Sequence, residues 1–197
     1  PAGGGHGLKL YMKPDQYFEK HPEYFPFIGG KRVKTGQLCF MAHEMIPTYV
    51  ANLRADLDAK PGSDGVNISI TDGCGVCDCP RCLAPLTLED GTRIEPTDEA
   101  FRSTQFYLFL NKIARELHKT HPDTIILTYA YLFTVVPQPV RLEPNIRVMF
   151  CPFAKDHKFP IHDAARNARI RDQAIGWGKV TDKTWLREYY GCAADFP

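Results

Sequence analysis

The chain has 197 residues, 44% of them hydrophobic and 24% charged, enough for one sizeable core and consistent with a single domain over residues 1–197. A formal net charge of +1, with no Lys/Arg cluster, excludes an electrostatic footprint for nucleic acid. No apolar run reaches the ~18 residues of a membrane span, and no signal peptide is visible.

The Gly-rich start carries His6, and the first and last residues read as the ends of a piece of a longer protein. Residues 15–20 read as a short helix broken at His21-Pro22. Gly29-Gly30 between apolar flanks predicts a two-residue hairpin, and residues 37–40 a short strand. Ile46, Tyr49, Val50, Leu53 and Leu57 recur at helical spacing within 43–58, until Lys60-Pro61-Gly62 stops the pattern. Residues 66–71 form an expected strand that delivers Asp72 at its end, and 91–96 read as polar loop.

Thr97, with Asp98 and Glu99 following it, predicts the cap and first turn of the longest helix. Phe106, Phe109, Leu110, Ile113 and Leu117 line its apolar face, and Pro122 ends it. Residues 124–132 are nearly continuous apolar, as in a strand buried on both faces. A strand is expected at 146–151, a weaker helix at 161–175 stopped by Gly176-Trp177-Gly178, and a final strand at 184–190.

Alternation of strands and helices argues for an α/β protein with a parallel sheet. The expected architecture is a (β/α)8 TIM-type barrel, partial in this chain, with an open doubly wound parallel sheet as the alternative. No G-x-G-x-x-G or P-loop motif follows a strand, and the long strand-to-helix loops favour the barrel.

Asp72 and Glu188 fall at expected strand ends, where parallel barrels present their chemistry. Two carboxylates across a cleft are the minimum for glycoside hydrolysis, one as acid and one as nucleophile or base. The structural alternatives are an Asx-turn at Asp72 before Gly73, and a solvated strand residue at Glu188. Tyr129, Tyr131, Trp185 and Tyr189 could stack on sugar rings or pack the interior of a barrel. His6 and His157 are loop histidines that either bind a substrate hydroxyl or stay structural.

Of seven cysteines, Cys74, Cys77, Cys79 and Cys82 crowd one loop. Four thiolates suit a structural zinc, and disulfides within the loop are the reading for an oxidising compartment. Four protein ligands leave no open position, so no metal or other cofactor is required for catalysis. Cys151 with His157 is a minor nucleophile alternative.

Tyr17-Phe18-Glu19-Lys20-His21-Pro22-Glu23-Tyr24-Phe25, Gly30-Lys31-Arg32 and Gln37-Leu38-Cys39 resemble a signature of the bacterial proteins grouped as domain of unknown function 4838. The Asp72-Gly73 turn with Cys77-x-Cys79-x2-Cys82, the segment 109–122, Tyr129-Ala130-Tyr131 and Gly176-Trp177 resemble further motifs of that family, as does Trp185 to the end at 189. Arg187 stands where the family motif has Trp. The resemblance implies a TIM-type barrel related to α-glucuronidase-like enzymes and to the endo-β-N-acetylglucosaminidases of glycoside hydrolase family 163. It implies secreted, periplasmic or cell-surface proteins that act on complex glycans, with Asp72 and Glu188 as acidic positions and His6 as a site histidine. The expected function is a glycoside hydrolase with a glycan partner. The alternatives are a non-catalytic carbohydrate-binding barrel and a zinc-organised interaction module.

Overall fold

A computed structural model describes residues 5–73 and 75–188. Its elements run α1 (Pro14–Tyr17), β1 (Phe27–Ile28), β2 (Lys31–Arg32), α2 (Ile46–Asp58), β3 (Gly65–Asn67), α3 (Pro80–Leu83), β4 (Leu86–Thr87), β5 (Arg93–Ile94), α4 (Phe101–His118), β6 (Ile125–Ala130), β7 (Ile146–Phe150), α5 (Ala168–Val180) and β8 (Thr184–Leu186). The apolar stripes of α2 and α4 behave as their periodicity requires. Phe106, Phe109, Leu110, Ile113 and Leu117 are all fully buried, with Tyr49 set edge-on against Phe109 and Phe40 against Phe106. Each such side chain contributes about 1.5–3 kcal/mol by leaving water.

Strands β3, β6, β7 and β8 form one parallel sheet in that spatial order, which is also their order along the chain. Ile126, Ala130, Ile146, Val148 and Phe150 pack in the main core with residues of α2, α4 and α5. On the other face Leu127, Tyr129 and Cys151 form a separate small cluster with Tyr131 and Met149. Strand β6 is therefore buried on both faces, as its unbroken apolar run demands. The fold is a mixed α/β arrangement on a four-stranded parallel sheet. Among the described residues the sheet has two edges: a full barrel is not shown, and the open parallel sheet is compatible with this arrangement. The β3 edge is covered by the N-terminal segment: Leu8 N–H donates to Ser69 O at 3.1 Å, and a Cβ on Gly7 would lie only 1.8 Å from Asn67 O.

Several expected elements differ for identifiable reasons. The Gly29-Gly30 hairpin forms, with both glycines at positive φ, as a primed turn requires. Residues 37–40 make no ladder, because Gln37 N–H donates to Gly75 O and Cys39 N–H to Tyr24 O, two unrelated partners. The strand expected at 66–71 stops at Asn67. Ile68 N–H still reaches Leu127 O, but Tyr129 N–H then finds the Ser69 hydroxyl instead of a strand carbonyl. Helix α4 starts at Phe101, not beside Thr97, because the Asp98 carboxylate accepts the Glu95 N–H and closes a turn of its own.

Helix α5 begins later than expected and runs through Gly176-Trp177-Gly178. Trp177 is buried and donates its indole N–H to Val135 O at 2.8 Å, while a Cβ at Gly176 would sit 2.6 Å from the Pro137 ring. The glycine marks close approach, not a stop. Residues 91–96 hold half of the β4–β5 hairpin, turned at Asp90-Gly91.

Candidate functional site

Side chains beyond the C-terminal ends of the four parallel strands form the candidate site. Asp72 lies five residues beyond the last residue of β3, on a loop, with its side chain 70% exposed. Its Oδ1 is 3.1 Å from His6 Nε2, and the other ring nitrogen of His6 contacts Ile70 O. Both acceptors are satisfied together only when each ring nitrogen donates. The His6 ring stands edge-on to Tyr129 at 6.0 Å and tilted to Tyr131 at 6.1 Å. Just past β8, Arg187 lies 5.3 Å over the Tyr129 ring and donates to its hydroxyl at 3.1 Å. Beyond β7, Phe153 meets Tyr131 edge-on at 6.1 Å.

Glu188 follows Arg187 and is bound by Lys155 across 2.8 Å, the two side chains being 24% and 11% exposed. Two groups result beyond the strand ends: Asp72 with His6, Tyr129, Tyr131, Phe153 and Arg187, and Glu188 with Lys155. The first offers acceptors, donors and apolar faces together, which is what a polyhydroxylated ligand needs.

Beside it lies a second arrangement. Cys39, Cys77, Cys79 and Cys82 are buried, and their sulfurs all fall within 4.8 Å of one another. Cys39 Sγ is 3.8 Å from Cys79 Sγ and 3.6 Å from Cys82 Sγ, and all four are free thiols. A disulfide needs about 2.05 Å. Four sulfurs each about 2.3 Å from a central zinc stand about 3.8 Å apart on a tetrahedron, so the quartet can bind a metal.

The surroundings suit negative charge at sulfur. Phe27 N–H donates to Cys77 Sγ at 3.2 Å and Arg32 reaches the same sulfur at 3.5 Å. Arg102 ties Cys77 O and Cys82 O together and ion-pairs with Asp78, and Gln105 also donates to Cys82 O. Hydrogen bonds from Cys39 and Cys82, with the Phe27 N–H, hold the Cys77 thiol well below the ordinary range. The same bond to Cys77, then burial, pushes Cys39 up to about 12, and the bonds to Cys39 and Cys77 raise Cys82. Negative charge in the quartet is thus favoured most at Cys77, and Cys39 touches two of the other sulfurs.

Of the residues singled out from sequence, His6, Asp72, Tyr129 and Tyr131 come together, while Glu188 pairs with Lys155. Trp185 pairs in register with Met149, on the sheet face that carries Tyr129 and Tyr131, and is half exposed there. His157 sits in the turn-rich segment after β7 and joins none of them. Tyr189 and Cys74 lie outside the described residues. Three members of the metal set expected within a single loop, Cys77, Cys79 and Cys82, come together, and Cys39 from a distant segment joins them. Its sequence signal was the Gln37-Leu38-Cys39 motif. Arg32 stood in the Gly30-Lys31-Arg32 motif, whereas Lys155 and Phe153 carry no comparable signal, being ordinary residue types in a loop.

No curated protein and no solved structure matches the chain. The model of a family described as domain of unknown function (DUF4838) matches residues 2–196. With nearly its whole length matched, the chain belongs to the DUF4838 family.

Proposed function

We propose that the protein is an arc of a TIM-type barrel that acts as a glycoside hydrolase on a complex glycan, with Asp72 and Glu188 as its carboxylate pair. One observation supports the reading: Asp72 with His6 and the Tyr129 and Tyr131 rings, and Glu188 with Lys155, lie beyond the C-terminal ends of strands in one parallel sheet, the position barrel enzymes use. Strands in chain order, with helices on one face and a polar-aromatic second face, fit a barrel arc better than a sheet wound in both directions. In this reading Glu188, held beside Lys155, serves as nucleophile or base. Asp72, turned outward beside His6, exchanges the proton of the leaving oxygen. Tyr129, Tyr131 and Phe153 face the sugar rings. A secreted or surface location accompanies this substrate.

The test is release of new reducing ends from a panel of complex glycans. Asp72→Asn and Glu188→Gln should each lower kcat by about 10²–10⁴-fold while glycan binding persists. A wild type that binds glycans and cleaves none would make this a carbohydrate-binding barrel instead.

The sulfur spacing favours a second, compatible reading: the quartet holds a structural zinc. Cys39, Cys77, Cys79 and Cys82 would supply four thiolates and close the tetrahedron, so the ion organises the loop and takes no part in the reaction. Elemental analysis giving one zinc per chain supports it, and its absence from protein refolded with zinc refutes it.

A further inference from the structure

The loop that carries Asp72 is gripped by one buried side chain. Gln37 has no exposed surface. Its Oε1 accepts the Thr71 N–H at 2.9 Å, and its Nε2 donates to Thr71 O at 2.9 Å and Gly73 O at 2.5 Å. These bonds bracket Asp72 on both sides and leave its carboxylate turned toward His6. The Gln37 backbone adds another, its N–H donating to Gly75 O at 2.7 Å. The approach is close enough to require glycine at 36: φ there is +84°, and an added Cβ would lie 2.5 Å from Gly75 O.

From this contact two short spans, 37–39 and 75–77, lead to the same place. One ends on Cys39 and the other on Cys77, both members of the sulfur quartet. Joining those sulfurs through an ion closes a small ring of chain around the Gln37 amide.

We propose that the quartet is a metal-dependent clasp: zinc shared by Cys39 and Cys77 fixes Gln37 against Thr71 and Gly73, and Gln37 is the positioning residue that holds Asp72 opposite His6. This rests on the zinc reading, and on Asp72 as a site residue, but not on glycan cleavage. The purpose of such a clasp follows from the exposure of Asp72. A carboxylate on a loop past the end of its strand has no ladder to fix it, and an active site tolerates a displacement of about 1 Å poorly.

The test reads the His6 ring nitrogens by NMR in the full chain labelled with 15N-histidine, assigned through His6→Ala. Asp72→Asn marks the signal of a His6 without its carboxylate. Gln37→Leu should retain one zinc per chain while its His6 signals move to the Asp72→Asn position. Gly36→Ala, which presses on Gly75 O from the other side, should do the same and serves if Gln37→Leu fails to fold. Protein produced in metal-depleted medium should begin at the Asp72→Asn position and reach the wild-type one at one equivalent of zinc. Wild-type His6 signals in Gln37→Leu, or no movement on adding zinc, would overturn the proposal. So would loss of zinc from Gln37→Leu, which makes Gln37 part of the knot and not the link, and so would an Asp72→Asn that leaves His6 unmoved. A wild type inert on every glycan changes none of these readouts, so the hydrolase reading fails separately.

Discussion

Cys39→Ala, compared with Cys74→Ala, tests which sulfurs form the metal site. Cys39 stands 40 residues before Cys79 and 43 before Cys82 in the chain, yet its sulfur lies 3.6–3.8 Å from both of theirs. Structural zinc sites in small peptides bind with about 10–16 kcal/mol, so one thiolate of four is worth about 3 kcal/mol, or roughly two decades in affinity. Cys39→Ala should therefore hold zinc about 100-fold more weakly in competition with a chromophoric chelator. Its cobalt derivative should lose the intense visible bands of a tetrathiolate site. Cys74→Ala should match wild type within about threefold, because four ligands are already supplied without it. A loss in Cys74→Ala with none in Cys39→Ala would return the site to a single loop and refute the assignment of Cys39.

Other perturbations address packing and charge. Gly176→Ala gains helix propensity of about 1 kcal/mol but drives a Cβ to 2.6 Å from Pro137 Cγ, and a proline ring has no rotamer to yield. We expect a net loss of about 1–2 kcal/mol in denaturant unfolding, and a raised midpoint would contradict the contact. Lys155→Met leaves Glu188 unpaired at 24% exposure and should cost about 2 kcal/mol, discounted for that exposure. Lys155→Met with Glu188→Met should recover most of it, and a double variant worse than either single one would show that the pair contributes stability of its own.

The tyrosines set the alkaline limit. Burial, then the nearby Asp56 carboxylate, pushes Tyr11 up to about 12, and complete burial raises Tyr49 and Tyr107 well above the ordinary value. A folded-state pKa raised above the unfolded one gives stability that is whole below pH ~10 and lost as pH rises through about 12. Phenolate absorbance from these residues should appear together with loss of far-UV circular dichroism. All nine tyrosines ionising near pH 10 in a folded chain would refute it.

Much of the frame is legible because period and burial agree. The stripe of α4, the spacing in α2, the Gly29-Gly30 turn and the apolar run of β6 each state one local preference that the tertiary structure honours. What sequence hides is competition between local and distant partners. Ser69 reads as a strand residue, but its hydroxyl replaces a ladder carbonyl and releases the chain toward Asp72. Gly176-Trp177-Gly178 reads as a breaker, but a fully buried indole and a proline face make it the best-packed turn of α5. The Asp90-Gly91 hairpin had its turn signal in plain view, with too short a flanking pattern to reveal strands. In the site, His6, Asp72 and the tyrosines were visible as residue types at strand ends. Cys39, Gln37 and Arg187 were not, since their roles depend on which loops the fold brings within a few ångströms of each other.

The position of the cysteine quartet follows from what the adjoining chain lacks. Between β3 and α4 the chain runs more than thirty residues with only α3 and a two-residue-per-strand hairpin as regular structure. Its own apolar cluster is Leu86 and Ile94 against Phe101, far smaller than the core under β6 and β7. Ile68 and Ile70 reach the main core, but beyond them and the cysteines the segment buries few apolar side chains to offset its ordering entropy. Sulfur ligation suits that situation, because a metal supplies directional bonds where there is no room for a hydrophobic core. The Arg102 guanidinium, which gathers two loop carbonyls and Asp78, then ties the same loop to α4, the best-packed helix. Asp72 thus owes its place to a loop anchored at one end by thiols and at the other by the main core.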